Sequence, residues 1–400
     1  MSNQSYLVRR WKRILFRFFL VSGGCVAGLF LAELGLWFVG YGLGTDSAYQ
    51  PDPYCGARHV PRYRGWHTKE GRSWIEMNSH GFRDRERTLE KPPDTFRVAV
   101  IGDSFAEALQ VDLDKTFWMV MERLFAESRP FNGQRVEVLN FGVAGYGTAQ
   151  ELEMLRHYVW DYQPDLIMLQ FLAGNDIANN SRKLEQQTGR PFYTLEADRL
   201  VLDNSFLQDL ERVCFQTSTW IKLKDFVVHN SRVAAMIYQI RHQQRAPEIK
   251  EGTEVGLAMQ PFCEPDSFDW KNAWAVTDRL VVEMAREAES HGAKFVVLMA
   301  NNGVEVEPNN SVFEGVVGRL GVADLLYPER RLEALAAQHG FAVIRLAQAM
   351  RQYSQEHQVY LHGFANTRMG TGHWNEAGHR LAGELAAAHL LEIGLVPGVQ

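Results

Sequence analysis

The sequence is short of cysteine, of metal-ligand clusters and of basic surplus. Its four cysteines, Cys25, Cys55, Cys214 and Cys263, stand far apart in 400 residues with no C-x-x-C spacing, which argues against a zinc ribbon and a thioredoxin-type redox site. No metal and no cofactor is expected. Cys25 lies in an apolar stretch; the other three are either free buried thiols or, in an oxidising compartment, include one pair for which Cys214 and Cys263 are the candidates. Lys and Arg number 42 against 48 Asp and Glu, a net charge of −6 with a pI near 6.1, so the basic footprint of a nucleic-acid binder is missing. Internal repeats and low-complexity segments are absent too. With 46% hydrophobic and 22% charged residues, the chain has the balance of a globular protein with a sizeable core.

One long apolar run is present. Phe18 to Leu43 is interrupted by a single carboxylate, Glu33, and is long enough to cross a bilayer as a helix. Arg9, Arg10, Lys12, Arg13 and Arg17 precede it, and no Lys or Arg follows until Arg58. The positive-inside rule then leaves residues 1–17 as a cytoplasmic tail, makes 18–43 an inner-membrane anchor, and faces the remainder to the periplasm or exterior. A cleaved signal peptide is the competing reading, but its apolar core is normally about 7–15 residues and ends in a small-residue cleavage site not found here. A lipoprotein reading of Cys25 is disfavoured because the apolar stretch continues past it.

Residues 44–95 read as a linker and lead-in with a strand near WIEMN and a turn at NSHGFRD. From Phe96 the signals alternate between strand and helix, the pattern of an α/β domain with a mainly parallel sheet. The strands are continuous apolar runs at 97–102, 136–142, 165–172, 294–300 and 341–347, as befits strands covered on both faces. Thr148 to Glu151 reads as a capping box, Pro328 opens a helix that Gly340 closes, and Gly292 ends another. Between about 178 and 268 the rhythm lapses. This insertion after the third strand borders the crevice where open α/β sheets bind ligands, as a specificity element or as a passive excursion.

Three short polar motifs fall at the carboxyl ends of successive strands: Gly102-Asp103-Ser104-Phe105, the turn Asn140 to Thr148 with Gly142, Gly145 and Gly147, and Gly174-Asn175-Asp176. Each alone is ordinary turn chemistry. The glycine-rich turn lacks the Lys-Ser/Thr of a P-loop and the G-x-G-x-x-G spacing of a dinucleotide site. Strand ends converge at the switch point of a doubly wound sheet, so the three belong to one place. Far downstream, Gly372-His373-Trp374-Asn375 leads into the last helix. A serine hydroxyl becomes a nucleophile when an imidazole takes its proton, and amide donors stabilise the oxyanion that follows.

In that order, GDSF, N-x-G-x-x-G, GND and GHWNEAGH resemble the successive blocks of the SGNH (GDSL-like) hydrolases, over roughly residues 96–392, and NSHGFRD resembles the membrane-anchored bacterial members. The resemblance implies a flavodoxin-like three-layer α/β/α sandwich with strand order 2-1-3-4-5. It makes Ser104 the nucleophile and His373 the base, with the N–H groups of Ser104 and Gly145 and the Asn175 side chain as the oxyanion hole. One departure stands out: the aspartate usual two or three residues before the histidine is replaced by Gly370 and Thr371. The expectation is a Ser–His dyad with no carboxylate on the far nitrogen, oriented by the Thr371 hydroxyl, a backbone carbonyl or a distant residue.

The activity implied is hydrolysis of oxygen esters outside the membrane, with a small-molecule or glycan acyl ester as substrate. Glycan O-acetyltransfer is the enzymatic alternative, and a non-catalytic glycan-binding or assembly component is the alternative of another class.

Overall fold

The structure is a computed structural model that describes residues 2–39, 48–128, 134–185, 189–197, 199–208, 219–243 and 258–397. The chain divides into two compact units, Met1–Ser47 with Ser218–Pro247, and Ala48–Thr217 with Glu248–Gln400.

The larger unit begins with two small antiparallel hairpins, β1 (Tyr49–Asp52) with β2 (Gly56–His59) and β3 (Arg64–His67) with β4 (Ser73–Glu76). The stretch read as linker and lead-in is thus built structure from Ala48 onward. The central sheet follows, with β5 (Thr95–Ile101), β6 (Arg135–Asn140) and β7 (Leu166–Phe171). After an antiparallel pair, β8 (Phe192–Glu196) and β9 (Arg199–Asp203), come β10 (Lys294–Met299) and β11 (Ala342–Arg345). The five sheet strands are ordered β11-β10-β7-β5-β6 and pair in parallel. Counted along the chain this is 2-1-3-4-5, the expected flavodoxin-like order.

Alternation explains the unbroken apolar strands. Ala99 and Ile101, Ile167 and Leu169, Val297 and Met299 enter the core on one face; Val98 and Val100, Leu166 and Met168, Val296 and Leu298 enter the core on the other. The stretches Val98–Ile101, Leu166–Leu169 and Val296–Met299 are therefore apolar at every position. Helices cover both faces. The first, α1 (Ser2–Phe38), belongs to the smaller unit; α2 (Ser104–Glu107), α3 (Phe117–Glu127), α4 (Thr148–Met154) and α5 (Asp176–Asn179) follow the strand ends. Helices α6 (Thr219–Asn230) and α7 (Arg232–Gln243) lie in the insertion and belong to the smaller unit. The remainder are α8 (Phe268–Ser290), α9 (Asn310–Leu320), α10 (Tyr327–His339), α11 (Ala347–His357) and α12 (Glu376–Glu392). Pro328 stands in the first turn of α10, and Gly340 ends that helix with φ +78°, as its sequence punctuation predicts.

The capping box at Thr148 does not form. Gly147 is the N-cap of α4, and the Ala149 N–H donates to Asn180 Oδ1 at 3.0 Å. A side chain at Gly147 would meet Asn179 Cβ at 2.6 Å, so the cap comes from across the site. Cys25, Cys55 and Cys263 carry free thiols; Cys214, the partner considered for Cys263, lies outside the described residues.

Among the described residues of the smaller unit, the helical segment Arg10–Phe38 is long enough to cross a membrane and contains an 18-residue window of mean hydropathy 2.1.

Candidate active site

Ser104 sits where β5 gives way to α2. Backbone accounting shows how this corner is held. The N–H groups of Asp103 and Ala106 donate to Gln170 Oε1 at 3.1 and 3.2 Å, and the Phe105 N–H donates to Asp103 Oδ1 at 2.9 Å. Among the described residues the Ser104 N–H has no such acceptor. It is the one donor of that run left over, beside the only residue between 101 and 110 that is not buried. The two other donor positions have the same character: between 139 and 155 only Ala144 and Gly145 reach the surface, and between 171 and 177 only Asn175.

Gly145 has φ +75°, a left-handed conformation that favours glycine. Its carbonyl accepts from Arg190 Nη1 at 2.8 Å, and its N–H, which belongs to the preceding peptide, is not engaged among the described residues. Asn175 Nδ2 donates to Asp103 Oδ2 at 2.8 Å. The second hydrogen of that amide is available for a ligand. Burial raises the Asp103 carboxyl pKa, while the Asn175 hydrogen bond opposes the rise.

Gln170 was not singled out in the sequence, although it is a lone polar residue inside the apolar run DLIMLQFL. It is fully buried, and a side chain at Gly102 would meet its Oε1 at 2.4 Å. Glycine at 102 and glutamine at 170 therefore go together. Gln170→Leu removes the acceptor of two buried N–H groups, and each group left unpaired costs about 1–3 kcal/mol. The expected result in a thermal or denaturant melt is destabilisation of about 2–6 kcal/mol; unchanged stability would remove this role.

His373 comes from the loop before α12. That loop is pinned at His362, whose Nε2 meets Asn301 Oδ1 at 2.9 Å and whose Nδ1 meets the Gly372 carbonyl at 2.7 Å, and at Trp374, whose Nε1 donates to the same Asn301 oxygen at 3.1 Å. Burial pushes the His362 pKa down to about 4, and the residue serves the scaffold. Asn375 caps α12 by accepting from the N–H groups of Ala377 and Gly378. His379, the second histidine of the block, packs at the start of α3, its Nδ1 accepting from the Phe117 N–H at 3.4 Å.

The His373 Nε2 lies 2.8 Å from Ser104 Oγ. Its Nδ1 lies 2.5 Å from Glu70 Oε2, and the His373 backbone N–H donates to Glu70 Oε1 at 2.9 Å. The dyad expectation is therefore corrected: a carboxylate does contact the far nitrogen, and it is a glutamate from the β3–β4 connection. Thr371 does not orient the ring; its hydroxyl donates to the Arg368 carbonyl at 3.0 Å. Glycine at 372, φ +78°, makes room, because a Cβ there would fall 2.2 Å from Glu70 Oε1. In place of a carboxylate at 370 or 371, the space left by Gly372 admits the distant Glu70.

Charge follows geometry. Burial alone would lower the His373 pKa, but the hydrogen bond and charge of Glu70 raise it above the ordinary value of 6.5. Burial opposes ionisation of Glu70, and the His373 hydrogen bond and charge overcome it, lowering its pKa. The His373 side chain keeps 26% of its surface exposed and Glu70 17%, so the ring is reachable while its orienting carboxylate is largely covered.

The NSHGFRD turn also reaches the site. Asn78 Oδ1 accepts from the N–H groups of His80 and Phe82, which sets Arg83 beneath α2. Its guanidinium donates to the carbonyls of Glu107, Ala108 and Val111, a cation at a helix C-terminus. Glu107, fully buried, takes hydrogen bonds from Tyr49 Oη at 2.6 Å and from the Ala144 N–H, and lies 2.5 Å from His59 Nε2. It ties the Ser104 helix to the Gly145 turn.

No family model matches the sequence, and no curated protein matches it either. Solved structures do show similarity. One is an α/β hydrolase enzyme from the metagenome of Lake Arreo, Spain, at 14% identity over 74% of this chain and 96% of that one, with a TM-score of 0.38. A lipase/acylhydrolase from Enterococcus faecalis is similar at 15% identity over 76% and 99%, TM-score 0.37. An acetyl xylan esterase is similar at 10% identity over 74% and 100%, TM-score 0.38. At those values the likeness carries nothing about substrate or mechanism. The fold and site define a three-layer α/β protein with a Ser-His-Glu arrangement at the carboxyl edge of its sheet. In motif order and strand order the chain resembles the SGNH (GDSL-like) hydrolases.

Proposed function

We propose that this protein is a serine hydrolase of the SGNH type acting on oxygen esters. The observation that carries the reading is the continuous chain from Ser104 Oγ through both His373 nitrogens to Glu70, beside donors at Ser104, Gly145 and Asn175. Neutral His373 takes the Ser104 proton as Oγ attacks the ester carbonyl, and the imidazolium formed is stabilised by Glu70. The carbonyl oxygen becomes an oxyanion held by the Ser104 and Gly145 N–H groups and the Asn175 amide. The imidazolium then gives its proton to the leaving alkoxide, and water repeats the sequence on the acyl-enzyme. A fluorophosphonate probe should label the wild-type protein, and a chromogenic acetyl ester should be turned over. Absence of both would overturn the reading.

Asn175→Ala removes one of three oxyanion donors. The expected result is a fall of about 10²–10³ in kcat with a smaller change in KM. A change confined to KM would assign Asn175 to ground-state binding instead.

The arginines before the apolar run support an inner-membrane anchor with the hydrolase outside. That placement favours acylated cell-surface or secreted glycans as acyl carriers, which release of acetate from an acetylated polysaccharide would test.

A further inference from the structure

Glu33 is the one carboxylate in the apolar run of α1 and the feature that an anchor reading leaves unexplained. Its partners lie in the insertion. Glu33 Oε1 accepts from the Arg232 N–H at 2.6 Å, Oε2 accepts from the Val233 N–H and Ser231 Oγ, each at 3.1 Å, and the Arg232 guanidinium stands 3.5 Å away. These are the first N–H groups of α7, which have no partner within their own helix. The carboxylate of α1 therefore caps α7, and α7 packs against α1 and α6.

The depth of that cap is fixed by helix geometry. Phe18–Phe38 spans about 30 Å at 1.5 Å per residue, the thickness of the hydrocarbon layer. Glu33 precedes Phe38 by five residues, about 7.5 Å along the axis. If Phe38 marks the outer boundary, the α6–α7 corner begins inside the apolar layer. A glutamate at that depth needs donors, and a helix start at that depth needs an acceptor. Each supplies the other.

The surfaces of α6 and α7 agree. Trp220, Leu223 and Val227 recur at helical spacing on α6 and are exposed, Trp220 by 73%, and Phe226 beside them by 64%. On α7 the small Ala235 is buried while Ile237 and Ile240 face outward. A helix in water turns its large apolar side chains inward; here the small residue is inside and the large ones are outside, as in helices packed within lipid. Both helices have 12 residues, about 18 Å and too short to cross.

We infer that the α6–α7 hairpin is a second membrane element, embedded in the outer leaflet beside α1 and tied to it by Glu33, with lipid acyl chains as the partner of its apolar face. This rests on the proposed anchor and goes beyond it.

The test uses the full-length protein in phospholipid nanodiscs, with one spin label per variant and all other cysteines replaced. Labels are placed at the native Cys25, at Leu223→Cys, Phe226→Cys and Ile237→Cys, and at Glu289→Cys as an aqueous reference. Collision with oxygen relative to a water-soluble nickel complex should be several-fold higher at the hairpin sites than at position 289, matching Cys25. A lipid-like Cys25 with water-like hairpin sites would overturn the inference and leave the anchor standing. A water-like Cys25 would overturn the anchor, and the inference with it. Hairpin labels shielded from both reagents would point to a protein partner, a second copy included, and would also overturn it. Glu33→Ala should keep Cys25 lipid-facing and lower the oxygen preference at Ile237→Cys; an unchanged preference would overturn the role given to Glu33.

Discussion

Ser104→Ala should reduce ester turnover by about 10⁶ and abolish labelling by a fluorophosphonate, with the melting temperature unchanged. The size of the effect follows from the chemistry, because without Oγ no acyl-enzyme forms and the remaining donors act only on direct attack by water. The fold should tolerate the change. Ser104 is partly exposed, and its hydroxyl meets His373; the bonds that hold the corner are made by its neighbours through Gln170 and Asp103. Persistent turnover with lost labelling would move the nucleophile elsewhere. A large loss of stability would make Ser104 a structural residue.

Glu70→Gln is expected to lower kcat by about 10⁴, although the side chain is nearly isosteric. The reason lies in the two bonds that Glu70 makes. Its Oε1 accepts from the His373 backbone N–H and its Oε2 faces Nδ1. A glutamine must keep its oxygen on the backbone N–H, which turns its amide nitrogen toward the ring. Nδ1 then becomes an acceptor, the proton moves to Nε2, and the base faces Ser104 with the wrong tautomer.

The pH profile should move with it. His373 must be neutral to take a proton, so activity rises with pH through its pKa. Glu70 holds that pKa above 6.5, and the wild-type acid limb should lie above 6.5. In Glu70→Gln the raising contribution of Glu70 is gone and burial, which lowers the pKa, remains, so the limb should shift to lower pH. Glu70→Asp, which keeps the charge but withdraws it, should recover part of both effects. A normal rate and an unmoved limb in Glu70→Gln would mean that Glu70 only supports the loop.

Much of the site was legible because parallel strands order it. In a 2-1-3-4-5 sheet the carboxyl ends of β5, β6 and β7 lie side by side, so motifs after three successive strand patterns must meet. That rule gathers the three motifs; the roles of Ser104, Gly145, Asn175 and His373 within them are what the resemblance to the SGNH hydrolases implies. Gln170 left a signal, a polar residue in a strand buried on both faces, that was passed over. Glu70 left none, since Thr-Lys-Glu-Gly is the sequence of an ordinary solvated turn.

The sequence by itself determined the strands and the motifs at their ends, because apolar runs and helix punctuation are local signals repeated along the chain, and the resemblance to the SGNH hydrolases supplied the strand order. Tertiary structure alone decided which carboxylate orients His373 and what satisfies Glu33. Those pairs join positions 303 and about 200 residues apart, and a hydrogen bond depends on where the backbone carries its two partners. Position 372 shows the difference in one residue. The sequence marks a glycine turn there, and only the folded chain brings Glu70 into the space that a side chain would have filled.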